Sequence, residues 1–490
     1  MAKTGNDWRC RADSEYRGII EMAELGKCPM GKFGPIAPQT QLINIDPQIT
    51  KSRAHWDLLF NRIREWNSAG DNEAWYANWS AGIPTYGCDC VNEWRKLTSD
   101  FPPPLADAGS MFKWAWSCRN SIRRRRGQRE FPYNYALRRY NMPSQYSKAR
   151  LAEVPRKLIL HHYLSPGDVL MLTACLDDLH AAYPGHFQTD VRVSVPDIFD
   201  NNPHVTPIAD DDPESCRIEM NYPQYQWQDD LPIHFAEAFS GYLEERLQIP
   251  IPARARRGAI YLTEEEKSHR PFDGRYWLVI SGGKSDYTCK HPDILKLRTA
   301  ILSMPDAQFI QVGEEGKCGS LVHTQPRLGL PNVIDGIGQT TRFRDLIVLA
   351  AHAEGAICGV TALMHLMGAL NKPCVVLAGG REAPTWEKYP DHVYFDSMGK
   401  LPCCQERACG RSRTVALKDG GSQDQSLCQL PVMREGSPPT PKCQEMIDPY
   451  AIVRAVDEFR NQNSLLDKRI SPAILLPHEQ KRADQVQAIA

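Results

Sequence analysis

Thr361-Ala362-Leu363-Met364-His365-Leu366-Met367-Gly368-Ala369-Leu370, then Asn371-Lys372-Pro373, then Cys374-Val375-Val376-Leu377-Ala378-Gly379-Gly380 decides the fold. The first ten residues read as a helix. Pro373 ends it, because proline neither donates a backbone hydrogen bond nor tolerates a helical residue before it. The next four residues are an apolar run of strand length, as a strand covered on both faces requires. Working outward, Gly355–Cys358 is a strand and Leu346–His352 a helix. Phe309-Ile310-Gln311-Val312 and Trp277-Leu278-Val279-Ile280 are strands, with a helix over Pro292–Leu302 between them. The last of these strands runs into Ser281-Gly282-Gly283-Lys284. Strands alternating with helices at this spacing predict a parallel sheet with ligands at the carboxyl ends of its strands.

A second unit of the same kind precedes it. Leu158-Ile159-Leu160 is a short strand, Ser165-Pro166-Gly167-Asp168 a turn, and Leu172, Leu176, Leu179 and Tyr183 line one face of a helix stopped by Pro184-Gly185. Val191, Val193 and Val195 form the next strand, and the helix around His234–Leu247 closes the unit. The expected organisation is an irregular Cys-containing segment at 1–50, a helical Trp-rich domain at 51–150, an α/β domain at 151–262, a second at 263–463 and a polar tail at 464–490. The Trp-rich domain rests on composition, since eight of the eleven tryptophans lie before residue 117, and on the helical spacing of Trp56, Leu59, Phe60, Ile63 and Trp66.

Totals narrow the function. Net charge is −1 at neutral pH with an isoelectric point near 6.9, which gives the whole molecule no bulk affinity for polyanions or membranes. No run of eighteen apolar residues exists, so no membrane span is expected. The start, Met1-Ala2-Lys3-Thr4, lacks the apolar stretch of a secretory signal. Sixteen cysteines without such a signal point to reduced thiols and metal ligands in a cytoplasmic protein. Arg123–Arg126, beside aromatics, read as a solvated helix face, with a polyanion surface as the sharper alternative.

Five cysteines, Cys403, Cys404, Cys409, Cys428 and Cys443, crowd the end of the second unit in a segment rich in Gly and Pro, from about 400 to 445. Thiolates at that spacing close a four-ligand structural metal site, with zinc the generic expectation. Because Cys403 and Cys404 are adjacent, Cys404, Cys409, Cys428 and Cys443 are the expected ligands. A closed four-ligand site leaves no open position for catalysis. Cys10, Cys28, Cys88 and Cys90 are a candidate second site.

Residues 155–460 resemble glycosyltransferase family 9, the heptosyltransferase family. In the first unit the likeness rests on Leu158–Leu160, Gly167-Asp168, Thr173, Ala182-Tyr183-Pro184-Gly185 and Asn201-Asn202-Pro203-His204-Val205. In the second it rests on Lys290-His291-Pro292 and on Met364–Pro373. Gly379–Glu382 with Trp386–Pro390, ahead of paired cysteines, is similar to a branch of that family, and the cysteine cluster resembles the iron-binding finger of autotransporter heptosyltransferases. The family has Asp-Thr-Gly ahead of the helical His, where this chain has Val360-Thr361-Ala362. The resemblance implies a GT-B fold of two Rossmann-like domains, here with an N-terminal helical extension and a Cys-rich insertion. It implies transfer of a sugar from a nucleotide-sugar donor such as ADP-heptose to a hydroxyl, with inversion, and it favours iron over zinc. Residues 84–140 carry a fainter likeness to helical sulfhydryl oxidases, in Cys88-Asp89-Cys90, Trp94 and Trp116–Asn120, but the redox Cys-x-x-Cys is missing and Arg119 replaces the expected His.

Such a transfer needs a base for the acceptor hydroxyl and positive charge or helix N–H groups for the leaving diphosphate. Asp168, between a strand end and a helix start, is the candidate base, with a plain helix cap as its bland alternative. Lys290 is the expected diphosphate clamp and Lys284 its second; an ordinary solvated lysine is the alternative. Gly359 and Thr361 precede a helix whose amino end suits phosphate oxygens, and Arg381 and Glu382 are expected near the donor base or ribose. His365 is read as structural. No catalytic divalent metal is expected, since lysine and helix dipole supply the charge. The acceptor stays open among protein, glycan and nucleic acid, and a homo-oligomer is compatible with everything above. The rival readings are an inactive nucleotide-sugar-binding protein of the same fold and a cysteine-based redox protein.

Overall fold

A computed structural model of the protein describes residues 112–117, 120, 133–140, 142–222, 233–254, 256–318, 321–405 and 407–470. The readings for residues 1–50 and most of 51–150, including Cys10, Cys28, Cys88, Cys90 and Arg123–Arg126, lie outside them. In chain order the first elements are helix α1 (Tyr133–Arg139), strand β1 (Lys157–His162), helix α2 (Pro166–Ala182), strands β2 (Gln188–Val193) and β3 (Ser215–Glu219), and helix α3 (Phe235–Leu247). There follow α4 (Glu264–Ser268), β4 (Trp277–Val279), β5 (Gly283–Lys284), α5 (Ile294–Leu302), β6 (Phe309–Gln311), β7 (Gly316–Cys318), β8 (Leu321–Thr324) and β9 (Val333–Asp335). Then come α6 (Phe343–His352), β10 (Gly355–Cys358), α7 (Ala362–Ala369), β11 (Cys374–Gly379), α8 (Pro384–Glu387) and β12 (His392–Asp396). The chain ends in β13 (Pro431–Arg434), β14 (Ser437–Pro441), α9 (Lys442–Glu445) and α10 (Pro449–Ile470), so that a helix occupies the first seven residues of the expected tail.

These elements fall into two compact units, Met1–Arg156 with Asp178–His186 and Met220–Arg254, and Lys157–Asp177 with Phe187–Glu219 and Ala255–Ala490. The first unit is helical where it is described. Tyr135 of α1 is fully buried, and Arg138 one turn on pairs with Glu244 of α3 at 2.9 Å, both side chains being nearly inaccessible. Asp178 accepts from Ser240 of α3 at 2.6 Å and from the Arg254 N–H at 2.9 Å. A buried carboxylate is tolerable only when so paired.

The second unit holds both parallel sheets. One is three-stranded in the order β2-β1-β3. Its centre, Leu158–Leu160, is inaccessible on every residue, as the unbroken apolar run requires. The other has six strands in the order β12-β11-β10-β4-β6-β9, all parallel. Its core joins Trp277, Val279, Phe309, Ile357, Val375 and Leu377 with Leu297 and Ile301 of α5 and with Ile452 and Val456 of α10. The expected strands and helices of this unit are all present, and β3, β9 and β12 add to them. Ser165–Asp168 is not a free turn. Pro166 opens α2, and the N–H groups of Asp168 and Val169 both reach Ser165 O, at 2.9 and 3.1 Å. Proline suits this first helical position because its missing N–H would be unpaired there anyway.

The Cys-rich insertion is built from short pieces, the turn Pro402–Cys404, the turn Ser422–Gln425 and the antiparallel pair β13–β14. Apolar contacts do little to order it. Its centre is Arg413, 1% exposed, whose guanidinium binds Asp419 at 2.7 Å, Asp424 at 2.6 Å and Asp286 at 3.0 Å. A further pair, Arg434 with Asp293 at 2.6 Å, ties β13 to the cap of α5.

Candidate active site

In the six-stranded sheet the strand order reverses between β4 and β10. Chains leaving the carboxyl ends of two such neighbours go to opposite sides, and the crevice left there is where open α/β sheets bind ligands. The segments that leave are Ile280–Lys284 from β4 and Gly359–Thr361 from β10. The 3-10 turn Ser285–Lys290 follows the first. It lies against Gly359, where a Cβ would stand 2.4 Å from Lys290 O, so no side chain fits. Thr361 caps α7 without a side-chain capping bond, and its buried Oγ1 has no partner among the described residues. The amino end of α7, with N–H groups that have no intrahelical acceptor, begins at this switch point.

The first turn of α2, from the other sheet, meets the first turn of α7. A Cβ on Gly167 would be 2.9 Å from the His365 ring and 3.7 Å from Ala362 Cα. Glycine is what lets the two helix starts approach. Lys284 Nζ donates to Ser165 Oγ at 2.5 Å across the same junction. Asp168 lies in the first turn of α2, half-buried, three residues past Ser165; Ser165, and not Asp168, holds the cap position. His365 is 4% exposed, and its Nδ1 is 2.8 Å from the Tyr389 hydroxyl, which bonds Met171 Sδ at 3.4 Å. Burial first, and the Lys290 charge second, push its pKa down to about 3, so the ring is a neutral packing group.

Lys290 is already paired. Its ammonium is 2.8 Å from Glu382 Oε1, and Glu382 also accepts from Arg381. Burial works against ionisation of Glu382, but Arg381 and Lys290 outweigh it and hold the carboxyl below its ordinary range. Behind it Glu387, 3% exposed, is held well above that range by burial and by the Glu382 charge. The Arg381 guanidinium lies 4.9 Å over the Tyr287 ring and donates to Arg411 O at 2.8 Å. Arg381 and Glu382, expected near the donor base or ribose, here contact each other, Lys290 and the Tyr287 ring. Glu387 lies in the Trp386–Pro390 stretch but was given no role there, and Tyr287 carries no motif. Val360, where the family Asp would stand, is a buried aliphatic side chain.

The insertion packs on the same turn. Cys289 N–H bonds Ser412 O at 3.1 Å, and Thr414 N–H bonds Thr288 Oγ1 at 2.8 Å. Cys289, Cys403, Cys409, Cys428 and Cys443 line one small cavity together with Arg381, Arg411 and Lys442. Cys404, the ligand expected in preference to Cys403, does not line it. Its thiol donates to Ser397 O at 3.0 Å, a bond that needs the proton to stay on sulfur. Cys289 and Cys428 lie against each other, and their mutual influence draws Cys428 below the ordinary thiol range and, with burial, pushes Cys289 above it. Burial pushes Cys443 up to about 12. Among the described residues no three His, Cys, Asp or Glu side chains are gathered closely enough to hold a metal ion. Cys289 escaped notice because it is remote in sequence from the cluster it joins. Among the described residues no helix is long and apolar enough to cross a membrane.

No protein-family model matches the chain, and no curated protein matches it. Solved structures do. The ADP-heptose lipopolysaccharide heptosyltransferase II of E. coli is 12% identical over 63% of this chain and 99% of its own, with a TM-score of 0.41. A family 9 glycosyltransferase from Veillonella parvula is 12% identical over 62% and 97%, with a TM-score of 0.40. The iron-containing dodecameric glycosyltransferase TibC of enterotoxigenic E. coli is 15% identical over 65% and 79%, with a TM-score of 0.43. Every TM-score is below 0.5, and the function proposed below rests on the geometry of this chain. The solved structures it resembles are heptosyltransferases and family 9 glycosyltransferases, the family read from its sequence.

Proposed function

We propose that the protein is a glycosyltransferase that moves a sugar from a nucleotide-sugar donor to a hydroxyl acceptor. One observation carries this reading. At the switch point of the six-stranded sheet, the first turn of α2, which carries Asp168, lies against the first turn of α7, whose Thr361 hydroxyl has no partner among the described residues, while Lys284 bonds Ser165 and the Lys290 turn packs on Gly359. Helix N–H groups and ammonium groups in one crevice suit a diphosphate leaving group. A carboxylate delivered from the opposite sheet suits a hydroxyl acceptor. In this mechanism Asp168 takes the acceptor proton as its oxygen attacks the anomeric carbon, the bond to the diphosphate breaks, and Lys284 and Lys290 stabilise the charge that grows on the leaving oxygen. Lys290 can do so while Glu382, itself paired with Arg381, keeps it aimed. ADP-heptose is the donor to try first. Iron or zinc, if bound, has a structural part in the insertion and none in the transfer.

Titration with nucleoside diphosphates tests the site. Wild-type protein should bind one equivalent, and Lys284→Ala and Lys290→Ala should each weaken binding at least tenfold. Unchanged affinity in both would remove the diphosphate from this crevice. The second reading, a binder without transfer, is favoured by Val360, which puts a buried methyl pair where the family has a carboxylate. Binding alone does not separate the two; turnover does.

A further inference from the structure

We propose that His323 is a third group on the leaving diphosphate, donating a ring N–H to a phosphate oxygen beside Lys284. His323 has this role only if the crevice takes a diphosphate, so it rests on the transfer reading. Strands β5, β8 and β7 form an antiparallel ribbon in that order. They follow the carboxyl ends of β4 and β6 in the chain, so the ribbon stands at the ligand-binding edge of the six-stranded sheet. Its root is fixed. Ser281 Oγ donates to Pro326 O at 2.7 Å, Gln311 Nε2 donates to the same oxygen at 2.9 Å, and the Leu328 N–H donates to Gln311 Oε1 at 2.9 Å. A Cβ on Gly282 would stand 2.0 Å from Thr324 O, so the strands meet there with no room for a side chain.

Register decides where His323 points. It stands directly opposite Lys284, and directly opposite residues of an antiparallel pair share one face. The Lys284 ammonium reaches Ser165 Oγ, 2.5 Å away, so that face is turned to the start of α2, which carries Asp168. Val322 and Thr324, on either side of His323 in the strand, are exposed on the other face. His323 itself is half-buried, and its Nδ1 is enclosed without a hydrogen-bond partner among the described residues. The ring is thus not held as His365 is by Tyr389. Three titratable groups act on it or are acted on by it: Lys284 across the strand pair, Glu314 ahead of β7, and His291 at the end of the Ser285–Lys290 turn. Burial, helped by Lys284, outweighs Glu314 and holds His323 below its ordinary range, while burial brings His291 down to about 4. Near neutral pH the free protein therefore carries an uncharged His323. A diphosphate brings negative charge against the ring, and an opposite charge at that distance favours the imidazolium. His323 takes this proton from solvent on binding and returns it when the diphosphate departs.

Calorimetric titration of the full chain with ADP, GDP and UDP, at pH 6, 7 and 8 and in two buffers of different ionisation enthalpy, reads both affinity and proton count. The wild type should take up roughly half a proton more than His323→Gln at pH 7. Its affinity should exceed that of the variant about fivefold at pH 6 and match it at pH 8. The phosphates of the ligand titrate alike in both proteins and cancel. His323→Lys, with a fixed charge at the same place, should keep the tight binding at pH 8 as well as at pH 6, which a variant damaged in folding would not do. His323→Gln that binds as the wild type does at all three pH values, while Lys284→Ala is impaired, would overturn the role of His323 and leave the diphosphate site standing. So would a loss equal at pH 6 and pH 8, which marks a packing group. A wild type that binds none of the three nucleotides would overturn the diphosphate site and His323 with it.

Discussion

At the scale of single residues the proposed mechanism turns on Asp168 as the base for the acceptor and on the pair of Lys290 with Glu382. Asp168→Asn keeps the size and the helical position, because the cap belongs to Ser165. Turnover should fall about 10²–10⁴-fold with donor affinity unchanged; full activity in single-turnover assays would reduce Asp168 to a first-turn acid. Lys290→Ala leaves the Glu382 carboxylate, 4% exposed, with Arg381 alone for compensation. The expected loss is about 1–3 kcal/mol of stability, read by urea unfolding, and Lys290→Ala combined with Glu382→Gln should recover part of it. No recovery would mean the 2.8 Å pair is not what holds the turn. Lys284, Lys290, Gly359 and Thr361 can be picked out in the sequence as candidates because each follows a strand end. The surroundings of Glu387, Tyr287 and Cys289 cannot, since they depend on burial and on contacts between distant segments that no local spacing encodes.

At the scale of elements the account turns on the Ser285–Lys290 turn, pressed between Gly359 on one side and the insertion on the other. Gly359→Ala puts a methyl 2.4 Å from Lys290 O. Overpacking of that kind costs about 1–3 kcal/mol, and the shift it forces should weaken nucleoside diphosphate binding in the same variant; a stable variant with normal affinity would show that the turn can move freely. Four strands of the six-stranded sheet, β4, β6, β10 and β11, were readable because each is a fully buried, mostly apolar run. Val333–Asp335 and Ser215–Glu219 were passed over because they are short and partly exposed, as edge strands are. The start of α2 was read as a turn from Pro166-Gly167, although proline there marks a first helical residue.

At the scale of the whole molecule, buried histidines set the response to acid. His365 and His392 are nearly inaccessible, and burial brings them down to about 3 and about 4. The unfolded chain, with histidines near 6.5, binds protons in that interval that the folded chain refuses. Stability should therefore fall as pH drops from about 6.5 toward 4. Glu266, held at about 2 by Arg344, adds a loss that begins below its ordinary 4.5. Glu387 has the opposite sign, since its raised pKa costs stability as pH rises above 4.5. Thermal midpoints across this range should decline on the acid side, and replacing His365 and His392 together by Gln should flatten the decline between 6.5 and 4. The central claim is transfer. Its most direct test follows nucleoside diphosphate release from a panel of nucleotide sugars, ADP-heptose included, with an extract supplying acceptors and Asp168→Asn as the control. The account predicts that one donor is consumed by the wild type at least a hundredfold faster than by the variant. Donors that bind at the crevice but are released intact by both proteins would contradict it.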